Sequence, residues 1–138
     1  MEDFGLAAIG PSGECAVLQV TGEVDVFTAP LLRERLRDLA GQGALHIIVD
    51  LRDVVFLDST VLGALVGCLK RLRTDGGLLT LVISAERILR IFRITGLSRI
   101  LPPHPTVPDA IAADPHWRQA VGSEAGAAEE WCRQHGLS

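Results

Sequence analysis

The sequence has no apolar run long enough to cross a membrane. Its longest unbroken apolar stretch, "VLGALVGCL" at residues 61–69, is about half of the roughly 20 residues that a spanning helix requires. The first ten residues, "MEDFGLAAIG", carry acidic groups where a secretory signal peptide needs positive charge. We therefore expect a soluble cytoplasmic protein with no membrane partner.

The sequence also lacks a cluster of basic residues. It contains 13 Lys and Arg against 17 Asp and Glu, which gives a formal net charge of −4. Because binding to nucleic acid needs a concentrated basic patch, we expect no nucleic acid partner. The length of 138 residues and the hydrophobic content of 48% favour a compact globular domain over a disordered chain.

Cysteines and histidines are few and widely spaced. No pair of the three cysteines has the spacing of a metal knuckle or a redox motif, and no histidine lies four residues from another histidine or from a cysteine. We therefore expect no metal site and no cofactor, with two buried thiols and one thiol near the C-terminus. The residues concerned are Cys15, Cys68, Cys132, His46, His104, His116 and His135.

Motifs for catalysis are missing as well. There is no Gly-x-Ser-x-Gly turn for a nucleophilic serine, and no glycine-rich loop followed by lysine that would cradle a phosphate. His46 is expected at the far end of its strand from Ser59, so no base is in place for that hydroxyl. These absences argue against a serine hydrolase and against intrinsic ATPase activity.

What the sequence does contain is an alternation of strand and helix patterns. Apolar segments on both sides of "GPSGE" predict a hairpin, while "ALHIIVDL" and "LLTLVI" are typical of inner strands that are covered on both faces. Amphipathic helices follow, and in one of them Gly63 and Gly67 are expected to let the helix lie close to the sheet. "RIL" at residues 99–101 is a candidate edge strand, because prolines follow it. This order predicts an α/β fold with right-handed crossovers.

The composition changes near residue 113. The segment 113–138 is rich in Ala, Gly, Ser and Glu, and its large apolar groups are Trp117 and Trp131. We expect one domain over residues 1–112, followed by a mobile or partly helical tail. Docking of the tail through its tryptophans is the alternative.

The segment "FLDSTVLGAL", residues 56–65, places three polar side chains between two apolar runs. Asp58 can cap the helix that follows, and Ser59 then lies in its first turn with an outward hydroxyl. One capping group is enough, yet three polar groups are present. Helix starts beyond strand ends are also where α/β folds place their ligand contacts. Both a plain cap and a contact site therefore remain open, and Thr28 is a second candidate cap, ahead of Pro30.

Three motifs in order carry a family resemblance. "GEVDVFTAP", "VDLRDVVFLDST" and "IFRITGL" resemble the bacterial anti-sigma factor antagonists, the STAS-domain family, over roughly residues 4–112. The resemblance implies a STAS-like α/β fold, with a small mixed sheet of four to five strands covered by about four helices.

The same resemblance implies a protein-binding switch. The unmodified antagonist would bind an anti-sigma factor with a GHKL-type ATPase fold and so free a sigma factor. That partner would use ATP and Mg²⁺ to phosphorylate Ser59, and a PP2C-type phosphatase would reverse the reaction. The antagonist itself would be a monomer or weak dimer. The partner-binding residues expected are Glu23, Asp25, Thr28, Asp58, Ser59, Thr60, Val61 and Leu62.

Val61 departs from the family pattern, which usually has glycine at this position. Glycine allows a close approach that a β-branched side chain forbids, so Val61 is expected to affect phosphorylation or the choice of partner. Thr60 is expected to hydrogen-bond locally, with a role as a second phosphoacceptor as the alternative.

Two other functions stay open. One is a STAS scaffold that forms part of an oligomeric signalling assembly. The other is a receiver-type phosphoacceptor domain with Asp50 as acceptor at a strand end. The second needs an acidic pair and a suitably placed lysine, whereas the one lysine, Lys70, lies on a helix in mid-chain.

Overall fold

The computed structural model describes residues 3–138, so Met1 and Glu2 of the N-terminal stretch discussed above lie outside the described residues. Its centre is a five-stranded sheet in which chain order and spatial order coincide. β1 pairs antiparallel with β2, and the other neighbours are parallel, so the sheet is mixed, as predicted. The strands are β1 (Gly5–Ile9), β2 (Cys15–Val24), β3 (His46–Leu57), β4 (Leu78–Val82) and β5 (Pro103–His104).

Helices cover both faces of this sheet. The described residues contain six α-helices, two more than expected, because the C-terminal segment also folds. Within residues 3–138, no helix combines the length and the apolar character that a bilayer crossing needs. The helices are α1 (Ala29–Gly41), α2 (Ser59–Thr74), α3 (Glu86–Ile94), α4 (Val107–Ala112), α5 (Pro115–Val121) and α6 (Ala127–Gln134), with a 3₁₀ turn at Leu97–Arg99.

The main core lies between one face of the sheet and α1, α2 and α3. From β2 to β5 the chain moves across the sheet in one direction, and right-handed crossovers then place all three connecting helices on the same face. Leucines of α1 and α2 and Phe92 of α3 pack there on alternate residues of the strands. The largest buried side chains of this core include Leu18, Leu32, Leu36, Ile47, Leu65, Leu72, Leu81 and Phe92.

A second core covers the opposite face and is built largely by the C-terminal segment. Val17, Ile48 and Val82 point to that face and pack with Trp117 and Cys132. The C-terminal segment is partly helical, as one form of the expectation had it, and it is docked on the sheet through Trp117, as the alternative proposed. The physical reason is that the inner strands are apolar on both faces, while the three crossover helices cover one face alone.

Hydrogen bonds hold the tail to the start of β3. The indole Nε1 of Trp117 donates to the His46 backbone carbonyl at 3.1 Å. The His46 ring donates from Nδ1 to Asp114 Oδ2 at 2.8 Å, and Asp114 Oδ1 accepts from the His116 backbone N–H at 2.9 Å. His46 and Asp114 are both buried. Buried polar groups with mutual partners fix one position for α5 on the sheet.

The predicted edge strand "RIL" is wrong. Gly96 has a φ of 77° and ends α3, and the 3₁₀ turn Leu97–Arg99 then occupies part of that segment. The last strand is β5, which includes Pro103. A proline is tolerated there because β5 is an edge strand, where one side of the backbone has no ladder to complete.

Candidate functional site

The carboxyl ends of β2 and β3 bring two polar loops together. These strands are parallel and paired to their ends, with Glu23 opposite Phe56 and Val24 opposite Leu57. The Asp58 backbone N–H then donates to the Val24 carbonyl at 3.2 Å. The two loops therefore adjoin, and the residues that follow β2 lie beside the start of α2.

Asp58 caps α2, as predicted. Its backbone is extended, and its Oδ1 accepts from the Thr60 backbone N–H at 2.9 Å. The Thr60 hydroxyl donates to the same carboxylate oxygen, which is the local hydrogen bond expected of it. The cap thus explains why polar side chains are present at Asp58 and Thr60. It does not explain the hydroxyl of Ser59.

Ser59 is the first residue of α2 and is exposed. At this position the backbone N–H groups of the first turn have no partner within the helix, and the helix dipole is positive. Its hydroxyl is therefore accessible from solvent, at a place where an added anion is tolerated by the folded domain.

Val61 and Leu62 are not surface residues. Their exposed fractions are 0% and 7%, and both side chains belong to the main core. The expectation that they contact a partner is therefore wrong, because the helical period turns these two positions toward the sheet. The valine that replaces the family's glycine puts no side chain in the way of Ser59.

The β2–α1 loop is held by Asp25 and Thr28. Asp25 Oδ1 accepts from the backbone N–H groups of Phe27 at 2.9 Å and Thr28 at 3.0 Å. The backbone hydrogen bond from Thr28 is the largest cause that lowers the pKa of the Asp25 carboxyl below its ordinary value of 3.8. Asp25 is thus ionised at neutral pH, and it lies in the loop that adjoins Asp58.

Thr28 precedes α1 but does not cap it with its side chain, which corrects the prediction. Its hydroxyl accepts from the Asp25 backbone N–H at 2.9 Å and donates to the Glu23 carbonyl at 3.1 Å. Thr28 therefore closes the loop, because the Asp25 turn holds the hydroxyl toward β2. Glu23, at the end of β2, is partly exposed.

Three exposed apolar side chains lie in the same loop and at the end of the neighbouring strand. Val26 and Phe27 extend from the β2–α1 loop, and Phe56 lies next to the end of β3; their exposed fractions are 56%, 83% and 50%. None of the three was predicted from the sequence as a site residue. One sequence feature could have indicated this exposed surface. Val26 and Phe27 are adjacent apolar residues in a loop, outside any helix or strand pattern that would predict their burial. The carboxyl-edge patch is defined here as Asp25, Val26, Phe27, Phe56, Asp58, Ser59 and Thr60.

Comparison with known proteins places this arrangement in a family. The STAS domain model matches residues 10–110. The chain belongs to the STAS domain family. The anti-sigma-B factor antagonist of Bacillus subtilis is 46% identical to it over 84 residues, which cover 61% of this chain and 76% of that protein.

Solved structures of the same family share the fold of this STAS domain. An anti-sigma factor antagonist from Mycobacterium paratuberculosis gives a TM-score of 0.73 at 27% identity, over 80% of this chain and 93% of that one. The Bacillus cell fate determinant SpoIIAA, in its phosphorylated form, gives a TM-score of 0.62 at 23% identity, over 79% of this chain and 98% of that one. The predicted family and fold class are therefore confirmed.

Asp50 of this STAS domain lies away from the carboxyl-edge patch. It is buried in the middle of β3, and β3 continues to Leu57, so the placement of Asp50 at a strand end is wrong. Both of its carboxylate oxygens accept from the Arg52 guanidinium at 2.9 Å, and that guanidinium also donates to the Leu137 carbonyl at 3.3 Å. Asp50 therefore forms an ion pair with Arg52 that holds the C-terminal segment. This pairing does not fit the phosphoacceptor role that a receiver-type domain would require of Asp50.

His46, Asp114 and His116 form a cluster that sequence spacing did not reveal. One potential ligand atom from each lies within 4.8 Å of the others. The two imidazole rings are stacked, with centroids 3.9 Å apart and 18° between their planes. Because ring nitrogens bind metals in the ring plane, stacked rings cannot both aim a nitrogen at one ion. In this STAS domain, the contacts among His46, Asp114 and His116 hold the C-terminal segment to β3.

The three cysteines are free thiols, two of them buried and one partly exposed. Burial is the largest cause that raises the pKa of Cys15, Cys68 and Cys132 from 9.0 to about 11 each. Cys132, the thiol nearest the C-terminus, is buried in the second core, whereas Cys68 on α2 is partly exposed. Because thiolates are the reactive form, the raised pKa values slow any reaction of these cysteines at physiological pH.

Proposed function

We propose that this STAS domain is an anti-sigma factor antagonist. In its unphosphorylated form it binds a cytoplasmic anti-sigma factor that has a GHKL-type ATPase fold, and it thereby releases a sigma factor. The partner phosphorylates Ser59, which ends binding, and a PP2C-type phosphatase restores the serine. The observation that carries this proposal is the exposed Ser59 hydroxyl at the start of α2, in the middle of the carboxyl-edge patch.

The patch has the composition of a protein-binding surface. Exposed aromatic residues such as Phe27 and Phe56 supply most of the binding energy at many interfaces, and polar groups around them fix the orientation. Asp25 and Asp58 are the polar groups here, and each is held in place by hydrogen bonds. The names of the relatives support an anti-sigma factor as the partner.

Phosphorylation would act on this surface by charge. The γ-phosphoryl group of ATP, bound with Mg²⁺ by the partner, would move to Ser59 Oγ with release of ADP and a proton. The phosphate adds about −1.5 to −2 charges at pH 7. The start of α2 tolerates that charge in the free domain, but Asp25 and Asp58 make it part of a dense negative surface. A partner that fits the neutral hydroxyl would have to desolvate the phosphate, so the complex dissociates while the fold is kept.

The side chain of Val61 does not oppose this cycle. Because it lies in the main core, it cannot obstruct a kinase that approaches Ser59 from solvent. Thr60 shares the Asp58 carboxylate, so its hydroxyl is already committed to the cap. We therefore assign phosphorylation to Ser59 alone.

The direct test is binding and phosphorylation with purified candidate anti-sigma factors of the GHKL fold. Wild-type protein and Ser59→Ala should bind with similar affinity, while Ser59→Asp should bind at least about 100-fold more weakly, since like charges in an interface cost several kcal/mol. With ATP and Mg²⁺, phosphopeptide mapping should find label on Ser59 and none on Ser59→Ala. Equal affinities of wild type and Ser59→Asp for a partner that binds would refute the switch.

The apolar part of the patch can be tested separately. Phe27→Ser should weaken partner binding about 30-fold, the effect of removing one aromatic anchor. Ile94→Ser is the matched control, because Ile94 is 76% exposed and lies at the end of α3, outside the carboxyl-edge patch. A loss of binding with Ile94→Ser, and none with Phe27→Ser, would place the interface elsewhere.

A further inference from the structure

A groove between α1 and α2 has no role in the fold described so far. It has a volume of about 260 Å³ and an exposed floor that includes Gly63 and Gly67 of α2. Arg33 and Arg37 of α1 line one side, and Arg71 of α2 lines the other. Leu36, Ala40, Ala64 and Cys68 complete its walls. Its lining thus combines small residues with three positive charges and contains no acidic residue.

The two glycines are not needed for packing. A Cβ placed on Gly63 or Gly67 would have no atom within 4 Å beyond the helix's own turns, and both residues are exposed. The prediction that they bring α2 close to the sheet is therefore wrong. Glycine is, after proline, the least favourable residue in a helix interior. Two glycines in the exposed middle of α2 thus lower the stability of the helix. Because they have no side chains, they also leave the solvent-facing surface of α2 accessible.

Among the residues that the structure describes, the three arginines of the groove have no acidic partner. In residues 3–138, the arginine ion pairs within 4.0 Å involve Arg52, Arg93 and Arg133. The 16 residues of α2 include no Asp or Glu. In a chain with a net charge of −4, this groove is a local concentration of unpaired positive charge.

The floor of the groove lies on the same face of α2 as Ser59. Ser59, Gly63 and Gly67 follow one another at intervals of four residues, so they lie on one face of α2. At 1.5 Å rise per residue, Gly67 lies about 12 Å from Ser59 along the helix axis. A protein seated on Ser59 and extended along this face therefore reaches the three arginines.

We propose that this groove is a second contact for the same anti-sigma factor, which inserts an acidic segment between α1 and α2. This proposal rests on the proposed function. Charge complementarity identifies the occupant as acidic, because the lining carries three guanidinium groups and no carboxylate. From Gly63 to Arg71 the floor extends about 12 Å, or two helical turns, which suits a peptide segment with spaced carboxylates. The glycines allow the backbone of that segment to approach α2 closely.

The arginines can be tested with the full-length protein and the purified anti-sigma factor. Arg33→Ala/Arg37→Ala should bind about 10-fold or more weakly than wild type in about 0.05 M salt, and the difference should shrink in about 0.5 M salt. Arg90→Ala is the matched control, because Arg90 is an exposed arginine of α3 outside the groove. Its affinity should stay within about 2-fold of wild type.

A glycine variant separates binding from folding. Gly67→Gln should raise the melting temperature by about 3 °C, because it removes a helix glycine, and it should weaken binding about 10-fold by filling the groove. A stabilised variant with reduced affinity cannot be explained by misfolding.

The outcomes distinguish the two proposals. If wild type binds and Ser59→Asp does not, while the groove variants bind like wild type at low salt, the groove proposal is wrong and the switch stands. If no GHKL-fold anti-sigma factor binds wild type, the proposed function fails, and the groove proposal fails with it. Weaker binding by the groove variants, with Arg90→Ala unchanged, supports both.

Discussion

Trp117 offers a quantitative test of how the C-terminal segment contributes to the fold. Its side chain is 0% exposed, and its ring lies 5.3 Å from that of Trp131, edge to face. A buried tryptophan covers about 150–250 Å², which at about 25 cal/mol per Å² corresponds to roughly 4–6 kcal/mol of transfer free energy. Measured losses for Trp→Ala in cores are about 3–5 kcal/mol. We expect Trp117→Ala to lower the free energy of unfolding by about 3–5 kcal/mol, with loss of the hydrogen bond to His46 included.

The assay is urea unfolding, followed in parallel by far-UV circular dichroism and by tryptophan fluorescence. Trp131 is the one tryptophan left in Trp117→Ala, so its fluorescence reports on α6 alone. Trp131→Ala is the control: because this residue is partly exposed, its loss should cost about 1–2 kcal/mol. If Trp117→Ala keeps the wild-type slope and unfolds within about 1 kcal/mol of wild type, the second core is not part of the cooperative fold.

Three further predictions concern the carboxyl-edge patch and the thiols. The stabilisation from ionised Asp25 is complete above the unfolded-state pKa of about 4 and is lost as pH falls through its lower folded-state pKa. Amide NMR shifts of the β2–α1 loop should therefore change only at acidic pH. A change near neutral pH would contradict the hydrogen-bond geometry. Asp58→Ala should lower the free energy of unfolding by about 1 kcal/mol in a denaturant titration, and Asp58→Asn by much less, because asparagine also caps. Cys68 should react with Ellman's reagent before the two buried thiols but more slowly at pH 8 than a free cysteine, since burial raises its pKa to about 11.

Local features were predictable because neighbouring residues decide them. The cap formed by Asp58 and the exposed first-turn position of Ser59 follow from one short segment, and the structure has both. The mixed sheet follows from a hairpin signal and from apolar strand runs that alternate with helices. At Thr28 the position of the cap was right and its hydrogen bond was wrong, because the competing Asp25 turn takes the hydroxyl.

Contacts between distant parts of the chain could not be predicted in this way. The His46–Asp114 hydrogen bond joins residues 68 positions apart, and no spacing rule links them. The composition of residues 113–138 favours disorder. Composition carries no information about the uncovered apolar face of the sheet, on which Trp117 packs. The same limit applies to Gly63 and Gly67: the sequence shows where glycines occur on α2, but not which side of the helix meets the sheet.

The family match ends at residue 110, whereas the second core continues to Leu137. A shorter chain cut at the family boundary would keep the carboxyl-edge patch but would lose α5 and α6. Val17, Ile48 and Val82 would then lose the cover of Trp117 and Cys132, and exposed apolar patches of this kind associate with one another. We expect the shortened chain to aggregate on expression, so that studies of this protein by recombinant methods need the last 28 residues.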